Sequence, residues 1–329
     1  MEKVIVIGSN SFSGSDFVDL LLEKGHYEVI GVSRSKEKSA LFLPYKKRKN
    51  PNFSFHKIDL NHDLDQFEKI VDDFKPDYIV NFAAQSEVLP SWANPHHWFQ
   101  TNAVALTKLV NRLKSKTFIK RYVHISSPEV YGTCEGNIKE DAPLNPSTPY
   151  AASKAAGDLS LFTFAKNFPF PLVMVRATNV YGAHQQLFKI IPRSIIYIKK
   201  GKKIELHGGG KAVKSYIHIR DISNGELMIM HHGKIGHIYH LSPDRGIAVR
   251  EVVEAICNRM NVSFSDAVVE VEERLGQDKA YTIDSSKARN EIGWQPSIIL
   301  KEGIEDCVSW VLNNFDQIEK EPLQYEHKE

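Results

Sequence analysis

Strand-length apolar runs alternate with helix-period segments through the first half of this chain, and that alternation predicts an α/β fold built on a parallel sheet. A second observation fixes the winding. The turn Gly8-Ser9-Asn10-Ser11-Phe12-Ser13-Gly14 joins the first apolar run to an apolar-periodic segment at the N-terminus, the arrangement of a doubly wound, Rossmann-type sheet. The third is the loss of regularity after Tyr181-Gly182, which places a smaller, discontinuous C-terminal α+β lobe beside the sheet.

Taken in order, strands are expected at 3–7, 28–33, 53–58, 78–82, 121–126 and 171–176, short and buried as parallel-sheet strands are. Helices are expected near 13–24, 64–74, 98–114 and 149–167. Lys36 to Asn52 is basic and Pro-containing and reads as a solvated loop. A helix near 191–200, a strand at 203–206, the turn Gly208-Gly209-Gly210 and a strand at 215–219 follow, then mixed elements to Trp310. The expected division is a dinucleotide-binding domain over 1–180 plus about 215–240, and a substrate-binding lobe over 181–214 and 241–316. Residues 317–329, polar and without periodicity, are expected to form a flexible tail.

Composition removes several classes of function. The 329 residues carry 42% apolar side chains, enough for a continuous core. A net charge of +2 gives no global attraction for nucleic acid or anionic membrane, so any anion site must be local. Three cysteines, Cys134, Cys257 and Cys307, form no C-x-x-C pair, which argues against a disulfide framework or a zinc site and for a reducing cytoplasm. The histidines have no i, i+4 ligand partners on a helix and read as surface or structural, so no metal is expected. No apolar run approaches bilayer length, and a strand pattern begins directly after Met-Glu-Lys, without a signal-peptide core.

The N-terminal turn is a candidate cofactor site. A tight turn into a helix N-terminus presents unpaired N–H groups to a pyrophosphate; Gly8 makes the turn and Gly14 lets helix and strand pack closely. The spacing is G-x-x-G-x-x-G with Ser11 in place of the middle glycine, where its hydroxyl can donate a hydrogen bond; Phe12 and Ser13 complete the candidate contacts. About twenty residues on, where a carboxylate would bind the ribose of NAD, the chain reads Val32-Ser33-Arg34-Ser35-Lys36. A guanidinium suits a 2′-phosphate, so NADP is expected, with NAD the alternative; otherwise Arg34 only begins a surface loop. Asp59 and Leu60 are placed to receive the adenine, and Ala83 and Ala84 are small enough for close passage of the chain.

Tyr150 and Lys154 stand at i and i+4 of an expected helix and project from one face, where the cation favours the phenolate and lowers the tyrosine pKa toward working pH. A base so placed suits hydride chemistry on an alcohol. With Ser126-Ser127-Pro128-Glu129-Val130-Tyr131-Gly132, Ala84-Gln85-Ser86-Glu87-Val88, Arg176-Ala177-Thr178-Asn179-Val180-Tyr181-Gly182, Ile191-Pro192, Tyr216-Ile217-His218-Ile219-Arg220-Asp221, Arg274-Leu275-Gly276-Gln277-Asp278 and Gly293-Trp294-Gln295-Pro296 in register, the chain resembles the extended short-chain dehydrogenase/reductases, and within them the nucleotide-sugar 4,6-dehydratases, over about residues 3–315. The resemblance implies that Tyr150 and Lys154 match the Y-x-x-x-K pair, that Ser127 bonds the sugar 4-hydroxyl, and that Glu129 is the base for the C5 proton. The implied reaction is oxidation at C4 by hydride transfer, loss of water across C5–C6, and return of hydride to C6.

One position departs from the family pattern. An acid, or a serine, usually precedes the glutamate, and Pro128 has no proton to give. Another donor is then needed: Glu129 after it has taken the C5 proton, a water, or Ser86. The alternatives are a 5,6-dehydratase, a 4-epimerase or a reductase of the same family, and from a different class a non-catalytic NADP-binding sensor. Substrate contacts are expected from Ser86 and Asn179, and phosphate charge is expected to meet Lys189, Lys214 and Arg274. The resemblance also implies a homodimer packed through helices 98–114 and 149–167, with a nucleotide-diphosphate sugar as partner.

Overall fold

The computed structural model describes residues 1–272 and 280–327. The chain alternates β1 (Glu2–Ile7), α1 (Phe12–Lys24), β2 (Tyr27–Ser33), β3 (Phe53–Lys57), α2 (Leu64–Phe74), β4 (Tyr78–Asn81) and β5 (Arg121–Ile125) before the later elements, which are named by their residues. Seven strands form one parallel sheet in the order Ile238–Leu241, Leu172–Ala177, β5, β4, β1, β2, β3. This is the doubly wound α/β fold that the alternation predicts, with the order reversing beside β1. Val4, Ile5, Val6 and Ile7 are all buried because helices cover both faces of the sheet.

Local signals place the helices that matter to the cleft. Ser11 caps α1 by accepting from the Gly14 amide at 3.0 Å, and Gly25 ends the helix at φ 76°, a left-handed conformation that glycine adopts without strain. Thr148 caps the helix Pro149–Asn167 through the Ala151 amide at 3.1 Å, with Pro149 in the first turn, where its missing N–H costs nothing. The helix Ile219–His232 packs on α1, fastened by Ser223, whose hydroxyl donates to Asp16 at 2.6 Å, and by Arg220, 3.1 Å from the same carboxylate. Asp221 in turn accepts from the Ser297 and Ile298 amides, and Trp294 Nε1 donates to the Asp221 carbonyl, which ties the G-W-Q-P segment to the sheet.

The second lobe gathers around Ile190–Lys199, Val249–Arg259 and Leu300–Asn313, which share a core with Tyr181 and Leu187. A four-stranded sheet combines Val213–Lys214 with Ile247–Ala248, Ala280–Ile283 and Cys134–Ile138.

Several expectations need correction. Ile238–Leu241, the seventh strand, is too short to stand out from its surroundings in sequence. The expected helix at 98–114 starts earlier and is not uniform: Pro95–Phe99, a π-helical turn Gln100–Ala105, then Leu106–Leu113. The segment read as a solvated loop, 36–52, buries Leu41, Leu43 and Tyr45, and its Arg48 bonds Asp19 at 2.6 Å. The tail is anchored: Ile318 is fully buried, Tyr325 meets Phe188 edge-on, and the His327 ring stacks on Trp98 at 5.0 Å.

Candidate active site

At the end of β1 the chain turns through Gly8 at φ 84°. A Cβ there would stand 2.8 Å from the Ala83 nitrogen, and one on Gly14 would stand 2.3 Å from the Gly8 carbonyl oxygen. The two glycines therefore hold the turn against the end of β4, a cradle that side chains would fill. Ser11, Phe12 and Ser13 open onto a cavity of 280 Å³, and Ala84 lies across it. With its lone pair engaged by the Gly14 amide, the Ser11 hydroxyl keeps its proton to donate. Residues and shape fit a dinucleotide pyrophosphate at the helix N-terminus. Ala83 sits behind the turn, donating to Asn81 Oδ1 at 2.9 Å. Arg34, just past β2, donates to Gln85 Oε1 at 3.4 Å, and Asp59 accepts from the Asn61 amide at 2.9 Å beside the buried Leu60.

Tyr150 and Lys154 line the same cavity, both buried. Their electrostatics differ from the sequence expectation. Burial, followed by the charge of Glu129, pushes the Tyr150 phenol up, although the hydrogen bond with Ser127 opposes this. Lys154 is pushed down to about 8, mainly by burial, with Asp158 acting against the shift. The i, i+4 pair alone does not create a phenolate, because burial penalises both ions.

Below Lys154 lies a connected polar layer. Its Nζ donates to the Ile125 carbonyl at 2.9 Å and approaches His124 Nε2 at 3.4 Å. Asp158 accepts from Arg176 at 2.8 Å and from Ser126 at 2.6 Å. Arg176 donates to the Tyr131 hydroxyl, which stands 2.8 Å from His240 Nε2, while His240 Nδ1 is 3.0 Å from the Asp284 carbonyl. A carbonyl only accepts, so His240 carries its proton on Nδ1 and is neutral; burial pushes it down to about 3. Asn102, within the π-helical turn, bonds the Gln85 backbone and Ser153 Oγ, joining the 84–88 segment to the Tyr150 helix.

Ser127 caps a single turn, Pro128–Tyr131, through the Glu129 amide at 3.2 Å. That turn projects Glu129 into the wall between the dinucleotide cavity and a second one of 490 Å³. Ser86, Asn179 and Lys189 also belong to both walls, and Lys214 to the larger cavity alone. Lys189 is paired with Glu87 at 2.8 Å, so an incoming phosphate must share it. Arg274 lies outside the described residues.

Two side chains were missed by sequence reasoning. Arg193 adds a cation to the larger cavity, and no pattern around Ile191-Pro192 marks it. Glu226 lines the dinucleotide cavity from the helix Ile219–His232. Its signal was present: it follows Ile222 by four residues and precedes Ile229 by three, which puts a carboxyl on an apolar helix face.

Comparison with known proteins agrees with this geometry. The family described as GDP-mannose 4,6 dehydratase matches residues 5–307. The dTDP-glucose 4,6-dehydratase of Haemophilus influenzae is 29% identical over 95% of this chain and 99% of its own length. The low-salt glycan biosynthesis protein Agl12 of Haloferax volcanii is 30% identical over 94% and 99%. Among solved structures, the dTDP-glucose 4,6-dehydratase DesIV of Streptomyces venezuelae, with NAD bound, superposes with a TM-score of 0.88 at 28% identity, covering 96% of this chain and 98% of that one.

Proposed function

The chain belongs to the GDP-mannose 4,6-dehydratase family, and from that premise we propose that it converts a nucleotide-diphosphate hexose to the 4-keto-6-deoxyhexose and water. A nicotinamide dinucleotide, when bound, accepts the hydride from C4 and returns it to C6. Tyr150 receives the proton of the 4-hydroxyl, which Ser127 orients, and it does so as the phenolate. The positive charges of Lys154 and of an oxidised nicotinamide would together favour that form against the burial and the Glu129 charge that oppose it. Glu129 takes the C5 proton, made acidic by the neighbouring ketone. The 6-hydroxyl needs a proton to leave as water. Pro128 supplies none, and Glu129 has just become a carboxylic acid on the correct wall, so one residue serves as base and then acid.

The observation that carries this reading is the position of Glu129, shared by the cavity that holds Tyr150 and the cavity that suits the sugar nucleotide. A 4-epimerase has no use for a carboxylate there. Incubation with UDP-, dTDP-, GDP- and CDP-hexoses tests it: product lighter by one water, with solvent deuterium at C5, is expected. A product of unchanged mass and inverted C4 would establish the epimerase instead.

Further parts of the reading rest on single features. Arg34 beside the ribose position, with no carboxylate there, supports NADP over NAD. Arg193, Lys214 and Lys189 support binding of the diphosphate in the larger cavity. Phe99, Val104 and Leu159, at 38, 42 and 57% exposure on helices that pack together through Asn102 and Gly157, support a homodimer; light scattering at micromolar concentration measures it. The three thiols are free and buried, which supports a reducing, cytoplasmic setting.

A further inference from the structure

Glu226 is 1% exposed, and neither carboxyl oxygen has a hydrogen-bond partner. It stands in the wall of the dinucleotide cavity with Ser11, Phe12 and Ser13, on the helix packed against α1. A buried carboxylate without partners is among the most costly arrangements a protein can hold, and a leucine would fill an apolar helix face at no such cost. Structure therefore gives no reason for this residue, and the cavity does.

We propose that Glu226 is a binding residue for the dinucleotide, donating its carboxyl O–H, directly or through one water, to the pyrophosphate seated at the Ser11–Ser13 turn. The inference rests on the dinucleotide reading above and extends it. An anionic pyrophosphate repels a carboxylate but accepts from a carboxylic acid. With no donor or cation on either oxygen, burial, reinforced by the charge of Asp16, pushes the Glu226 carboxyl well above the usual range and favours the neutral form.

The charged neighbours agree with that assignment. Asp16, on α1, is held by Arg220 and Ser223 and offers Glu226 no donor. Asp19 engages Arg48 and Arg220. Lys154, on the far wall, is directed to Ile125 and His124. Glu87, Glu129 and Lys189 line the same cavity, the first and last paired with each other. Ionisation of Glu226 would place a second negative charge beside Asp16 with no cation reassigned to it, so dinucleotide affinity falls as pH rises and Glu226 loses its proton.

Binding of NAD+ and NADP+ by calorimetry to the wild type, Glu226→Gln and Glu226→Met tests the proposal. The amide keeps a donor without charge, and its affinity should stay within about threefold of wild type. The thioether lacks the donor, and its affinity should fall about tenfold or more, while the ligand-free protein melts higher than wild type. That opposition is the signature, since a merely structural role would lower both. Infrared difference spectra give a readout that needs no stable Met variant: wild type should show a protonated carboxyl band that shifts on adding NAD+ and is missing from Glu226→Gln. A folded Met variant with wild-type affinity, or a carboxyl band indifferent to NAD+, overturns the inference. Wild type that binds neither dinucleotide overturns the cofactor reading itself.

Discussion

The polar groups under Lys154 and those under the glycine turn are equally buried, yet the first are joined into a network and the second are left open. Asp158, Arg176, Tyr131 and His240 exchange hydrogen bonds in an unbroken chain to the Asp284 carbonyl. Glu226, the same depth below the other end of the cleft, bonds nothing. Every member of that chain is held by at least one bond, although Asp158 Oδ1 and Arg176 Nε lack partners of their own, whereas the Glu226 carboxyl is held by none on either oxygen and is open to a partner from outside the chain. The first layer fixes the catalytic helix in advance of any ligand, and the second reserves a group for one.

If the networked layer serves chemistry, removing the group it supports must cost turnover and not binding. Tyr150→Phe is the largest effect expected: a loss of about 10²- to 10⁴-fold in turnover, with the ring still packed and dinucleotide affinity little changed. Steady-state rates beside calorimetric titrations measure the two together. Retention of turnover would remove Tyr150 from the mechanism.

Glu129 and Pro128 sharpen the comparison, because they sit where the networked layer meets the substrate cavity. Glu129→Gln should still let substrate reduce the cofactor, seen as nicotinamide absorbance, yet release no water and exchange no C5 proton. Pro128→Asp restores the acid that the family pattern carries and should accelerate elimination by up to about 100-fold. Quenched-flow mass analysis follows the second effect; unchanged elimination in Pro128→Asp would mean that Glu129 already delivers the proton without delay.

The network also carries a pH signature. His240 is neutral when folded, near 3, and titrates near its ordinary 6.5 when unfolded. Between these values the unfolded chain binds the extra proton, so stability is lost on acidification below 6.5, at about 1.4 kcal/mol per pH unit where His240 is fully linked. Urea melts at pH 7, 6 and 5 should show that slope in wild type and a shallower one in His240→Gln. Equal slopes would mean that His240 is not held as the geometry describes.

Legibility in the sequence follows the same division. Strands β1, β2, β4, β5 and Leu172–Ala177 were readable because parallel strands buried on both faces are apolar runs, whereas β3, at the sheet edge with no fully buried residue, was readable only from the spacing of Phe53 and Phe55. Ser127, Glu129, Tyr150 and Lys154 were readable because their spacing is a motif, and the structure gathers all four around the dinucleotide cavity. Ile238–Leu241 was not, since four residues of pattern carry little period. The upward push of burial on the Tyr150 phenol was not readable, because i, i+4 spacing reports proximity and not desolvation. Glu226 was overlooked because a polar residue on an apolar face is informative only once its burial is known.

The smallest effect expected lies at the far end of the open layer. Arg34 follows β2 and bonds Gln85, so its guanidinium is partly committed before any ligand arrives. A 2′-phosphate would add a charge-assisted bond at a partly exposed site, where such pairs contribute at most about 1 kcal/mol. Arg34→Ala should therefore weaken NADP+ about fivefold and leave NAD+ unchanged, converting a modest preference into none. Parallel titrations of both dinucleotides decide it. Tighter binding of NAD+ by the wild type would show that the missing carboxylate after β2 was replaced by a surface arginine and not by a phosphate receptor, while leaving untouched the contact assigned to Glu226, because the pyrophosphate is common to both dinucleotides.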